Sequence, residues 1–158
     1  MPRLHKGLRL IAALAAVAML AAILALPAAA TPPQAVTIFT DGQFVGPGTV
    51  VGTWHATGAI SDSGTYVELF RLDGTGTLTI HTEKTLTSSI GTIVLDADAI
   101  VEPISPTEVT FQSGAWEMHG SGGYATLHGD GTPGAGGIAD LATGVVHTFH
   151  TGFAHFDP

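Results

Sequence analysis

The chain has 158 residues, 45% hydrophobic and 11% charged, with a formal net charge of −8 and no cysteine. Five Lys or Arg stand against thirteen Asp or Glu, a balance that excludes polyanion recognition, which needs clustered cations on nucleic acid or an anionic leaflet. The lack of cysteine excludes a disulfide framework, so a domain of this size must rely on its own core.

The first nine residues hold Arg3, Lys6 and Arg9 and no acid, and Leu10 to Leu26 are all apolar. Pro27 then precedes Ala28, Ala29 and Ala30. A basic start, an apolar run and a small-residue site predict a secretory signal over residues 1–30, cleaved after Ala30. The rival is a retained membrane anchor, for which a run of roughly 17 residues is the lower limit. With no twin-Arg pair and no following cysteine, the general secretory route to the exterior or cell envelope is expected, without lipid attachment. After cleavage Arg71 and Lys84 face thirteen acids, a net charge of −11, and no segment remains to hold a membrane.

Residues 31–34 read as a flexible leader and residues 35–158 as one domain. Eight runs carry strand character: Ala35–Thr40, Thr49–Gly58, Thr65–Leu72, Gly76–Leu86, Ser89–Val101, Thr107–His119, Tyr124–Gly131 and Thr143–Phe156. Turn residues separate them. Ser61-Asp62-Ser63-Gly64 and Leu72-Asp73-Gly74 predict tight hairpin turns, Pro103 and Pro106 bound a third, and residues 132–137 read as a flexible loop. In the fifth run Ile93, Leu95, Ala97, Ala99 and Val101 form one apolar face, while Asp96 and Asp98 share the other, toward water. In the last run Val145, His147, Phe149, Thr151, Phe153 and His155 share the face of larger apolar content, unless a bulge at Gly152 shifts the register. The pattern predicts an all-β fold, an eight-stranded antiparallel up-and-down barrel, because closure removes exposed edges. A β-sandwich is the alternative.

Two segments carry a family resemblance, Gly52 to Gly64 and Trp116 to Gly131. Within the second, Gly120-Ser121-Gly122-Gly123-Tyr124-Ala125-Thr126-Leu127-His128-Gly129-Asp130-Gly131 resembles the glycine-rich hairpin of bacterial secreted proteins with an allene oxide cyclase-like barrel, distant relatives of dirigent proteins. The resemblance implies the barrel and a homo-oligomer. It carries over no catalytic residue. Its glycines suit a tight turn and close backbone approach, with Tyr124 and Leu127 expected on opposite faces.

Seven histidines fall after residue 30. On a regular strand His147 and His155 share a face but lie about 26 Å apart, and His150 points the other way. A metal centre from His128, His147, His150 and His155 would need neighbouring strands to bring them together, and no cofactor is predicted. Glu117 and His119 share a face of the sixth run, opposite Trp116 and Met118. They form an acid–base pair only if a bulge near Ser113-Gly114 turns them inward. His147 completes the catalytic candidates. There is no cysteine nucleophile, serine elbow or phosphate-binding loop.

Three readings follow. The first is a noncatalytic module binding a small apolar or aromatic molecule in the barrel mouth, lined from Trp54, Phe111, Trp116, Tyr124, Phe149 and Phe153. The second is a self-assembling envelope protein, motivated by Val146 and Phe156 opposite the apolar face of the last run. The third is a cyclase- or dirigent-like enzyme that steers a reactive intermediate, with Glu117, His119 and His147 facing a cavity.

Overall fold

A computed structural model describes residues 31–133 and 137–158, so the predicted signal and its cleavage site lie outside the described residues. Nine strands follow in order: β1 Gln34–Gly46, β2 Thr49–Gly58, β3 Asp62–Asp73, β4 Leu78–Thr87, β5 Gly91–Pro103, β6 Glu108–Gly122, β7 Leu127–Pro133, β8 Gly137–Asp140 and β9 Val145–Phe156. Each of β1 to β6 pairs antiparallel with the next, and β9 returns to pair with β1. The sheet closes into a barrel. Both β7 and β8 lie between β6 and β9. They act as one interrupted stave, so nine strands fill eight positions. This is the expected eight-stranded antiparallel barrel.

Three local expectations are corrected. The connection read between the seventh and eighth runs holds strand β8, because β6 and β9 offer residues 137–140 partners on both sides, and Thr132 and Pro133 belong to β7. Strand β1 runs on to Gly46, well past Thr40, for the same reason: Asp41, Gly42 and Gln43 are paired to β2 and β9 at once. Ser61 to Gly64 is not a turn. The chain reverses at Ala59 to Ser61 and β3 begins at Asp62.

Inside and outside alternate along each strand. Ile93, Leu95, Ala97, Ala99 and Val101 of β5 are buried as predicted, and Asp96 and Asp98 lie on the outer side. The faces of β9 are the reverse of what its apolar content suggests. Val146, His150 and Ala154 are buried, and the face of His147, Phe149 and Phe153 is outside. No bulge occurs at Gly152, since β1 and β9 keep one register throughout. Val146 therefore packs in the core and cannot form an outer assembly face with Phe156.

The interior is filled by large side chains set into glycine gaps. A Cβ at Gly131 or Gly152 would stand 2.9 or 2.7 Å from Cζ2 of Trp116. That ring occupies their space and donates from Nε1 to the carbonyls of Thr132 and Thr151 at 3.0 and 3.2 Å. Along β4 the inward positions run Ile80, Thr82, Lys84 and Leu86. The two ends join apolar clusters, and the middle of the strand carries charge into the barrel.

Candidate functional site

A layer of polar side chains crosses the barrel interior. Lys84 Nζ donates to Glu68 Oε2 at 2.6 Å, and only 2% and 5% of these two side chains is accessible. The same ammonium donates to Thr148 Oγ1 at 3.2 Å, and Thr148 shares a 2.6 Å hydroxyl contact with Thr40. It also lies 5.5 Å from the centroid of the Tyr66 ring, a cation–π distance. Burying two charges costs desolvation that their attraction only partly returns, so such a pair is poor evidence for stability and better evidence for a task.

Three buried polar groups of this layer have no hydrogen-bond partner among the described residues: the Tyr66 hydroxyl, the Thr82 hydroxyl and both ring nitrogens of His150. Burial pushes the His150 imidazole well below its ordinary value, and the Lys84 ammonium adds to this. The ring is neutral, with one N–H donor and one lone pair to offer. Burial also raises the Tyr66 phenol, helped by the Glu68 carboxylate, so the phenol stays protonated.

Beside this layer lies a cavity of about 30 Å3, lined by Glu68, Thr82, Lys84, Thr148 and His150 on its polar side and by Ala97, Phe111 and Phe149 among its apolar groups. That is room for a water molecule or two.

The predicted site residues divide sharply. Phe111 lines this cavity, and Phe149 borders it from the outward side of β9, its ring 6.3 Å from that of Phe39. Trp54, Trp116 and Tyr124 are core side chains, each 3% exposed or less. Trp54 Nε1 donates to the Thr87 carbonyl at 3.2 Å. The Tyr124 hydroxyl donates to Asp62, which holds that carboxyl below its usual range. Tyr124 and Leu127 are both buried rather than on opposite faces, because residues 123–126 form a turn. Phe153 is exposed on the outer wall.

Glu117 and His119 are exposed on the outer face of β6, and His147 is exposed on β9, where its Nδ1 meets Asp41 Oδ1 at 2.6 Å. These three catalytic candidates face solvent and share no cavity. The bulge in β6 does occur: Ala99 pairs with Gly114 and Ile100 with Gln112, skipping Ser113, which has φ of 36°. It leaves the alternation from Trp116 onward unchanged, so Glu117 and His119 stay outside.

Of the four histidines named as metal candidates, His150 is inside, His147 stands with Asp41, and His128 and His155 face each other across β7 and β9. Among the described residues no three His, Cys, Asp or Glu side chains are placed to hold a metal ion as they stand.

Sequence reading passed over Glu68 and Lys84. The signal was parity. Lys84 falls in step with Ile80 and Leu86, and Glu68 with Tyr66 and Phe70, so an inward face predicted from the apolar members would have carried both charges inside.

On the outer wall Glu83, Asp96, Glu117 and Asp130 are direct partners across β4, β5, β6 and β7. They border an open groove of about 650 Å3 that also includes Leu69 and His81. Like charges set directly opposite destabilise a sheet, and this row explains where much of the negative charge resides. Compared with protein-family models, with curated proteins and with solved structures, the chain matches none.

Proposed function

We propose that this is an exported, noncatalytic binding module whose barrel takes the polar end of a small, largely apolar molecule. The observation that carries the reading is His150, buried with both ring nitrogens unpartnered among the described residues, at the wall of a cavity beside the Lys84–Glu68 pair. A mostly apolar pocket with a few convergent polar groups is the ordinary form of a ligand site. At about 30 Å3 the interior admits only a few ligand atoms. The polar end meets His150 and Thr82, and the apolar body rests against Phe111 and Ala97. Kinship with the allene oxide cyclase-like barrels is part of this proposal, supported by the closed barrel and the glycine-rich hairpin.

The test is native mass spectrometry of the protein recovered from a secreting host, together with a proton NMR titration using phenol as probe. The binding reading expects a mass excess lost on denaturation, or phenol shifts centred on His150 and Phe111 that vanish in His150→Phe. A bare protein whose interior resonances ignore phenol overturns it.

A further inference from the structure

His128 and His155 are direct partners on β7 and β9, with ring centroids 5.9 Å apart and planes inclined by 32°. On the other side of His128, its partner on β6 is His119. Three histidines thus occupy one row across three adjacent strands. The row lies outside the barrel and owes nothing to the interior cavity.

Asp157 completes the arrangement. Its Oδ2 lies 3.4 Å from Nε2 of His128 and its Oδ1 3.3 Å from Nε2 of His155. The residue is near the chain end, yet its backbone N–H donates to the Thr126 carbonyl at 2.8 Å, which fixes it against the β6–β7 turn. Both imidazoles therefore present the same nitrogen to one tethered carboxylate.

We propose that His128, His155 and Asp157 form an open binding site for a divalent transition-metal ion of the zinc class. Imidazole and carboxylate are the ligands such ions take, at about 2.0–2.2 Å, and two donors of a tetrahedral ion then stand roughly 3.3–3.4 Å from each other. The two nitrogen-to-oxygen separations already have that value. As the side chains stand they converge on the carboxylate rather than on one common point. All three are partly or largely accessible, with side-chain exposures of 52%, 33% and 49%. Small rotations turn the two nitrogen-to-oxygen contacts into three bonds to one cation. Water fills the remaining position. Asp130 and Glu117, two residues from His128 and His119 along their strands, make the approach favourable to a cation.

The experiment is titration of the untagged protein with zinc chloride in a non-chelating buffer near neutral pH, by calorimetry and by NMR of the histidine ring protons. Expected are one equivalent of zinc, shifts at His128 and His155, and an affinity lowered about tenfold or more in His128→Ala and in His155→Ala. Asp157→Asn should weaken binding in the same direction. His147→Ala, which alters the separate pair with Asp41, should leave it unchanged. Zinc binding that survives both His128→Ala and His155→Ala at wild-type strength, or no binding by the wild-type protein, overturns the proposal. The copy of His128→Ala used must keep the wild-type circular dichroism spectrum and melting temperature, and His128→Gln serves in its place if it does not.

Discussion

His150 has a cost that pH can reveal. In the unfolded chain an imidazole takes up a proton near pH 6.5, whereas in the barrel burial and the Lys84 ammonium hold it well below its ordinary value. Below about pH 6.5 the unfolded state then binds a proton that the folded state refuses, and stability rises with pH wherever the unfolded state binds more. The contribution is complete above the unfolded value and is lost as pH falls toward the folded one, at up to about 1.4 kcal/mol per pH unit. Urea midpoints from about pH 7 down to about pH 5 should fall less steeply for His150→Leu than for the wild type. Equal slopes would mean the ring is reached by water. The charged pair beside it differs in kind: Lys84 and Glu68 satisfy each other at 2.6 Å, and Thr148 takes a second ammonium proton.

At the scale of single elements, glycines inside the barrel are the spaces that aromatic and long side chains occupy. In the glycine-rich hairpin, a Cβ on Gly120 would meet the Tyr124 side chain, one on Gly129 would stand 2.5 Å from the Met118 methyl, and one on Gly131 would press on Trp116. The motif is a packing pattern in which each gap answers one large residue. Gly152 in β9 extends it, because its Cβ would meet the Asp130 carbonyl and stand 2.7 Å from both Gly131 Cα and Trp116 Cζ2. Gly152→Ala should cost about 1–3 kcal/mol in denaturant unfolding. Gly76→Ala, where a Cβ meets nothing within 4 Å, should stay within about 0.5 kcal/mol. The same packing explains why the apolar content of β9 misleads. Along most of its inward face the residues are small or polar because neighbours already fill the interior, so Phe149 and Phe153 are left for the outer side while Phe156 packs against the core at the strand's end.

For the whole molecule, closure is the dominant fact. Strand β1 is paired along its length with β9 as well as with β2, and the Thr31 N–H donates to the Phe156 carbonyl at 3.4 Å. Neighbouring ends permit a circular permutant. Joining residue 158 to residue 31 by a short flexible linker and opening the chain between Thr75 and Gly76 should preserve the β spectrum and a single cooperative melt. Loss of the cooperative melt would show that the connection at residues 74–77 does more than join β3 to β4.

The sequence by itself determined the class and most of the strands. Period-two runs broken by turn residues are local signals, and in β5 the alternation of apolar residues with Asp96 and Asp98 told inside from outside. The seating of Trp116 and Met118 opposite Glu117 and His119 was legible for the same reason. Only the tertiary structure decided what depends on partners far along the chain. It paired β8 on both sides within a stretch read as a connection, turned the apolar-rich face of β9 outward, and brought Glu68, Lys84 and His150 to one cavity. It also placed His128 and His155 across from each other beside Asp157. Register between strands is set by closure and by how interior volume is shared, and neither quantity is written in any one strand.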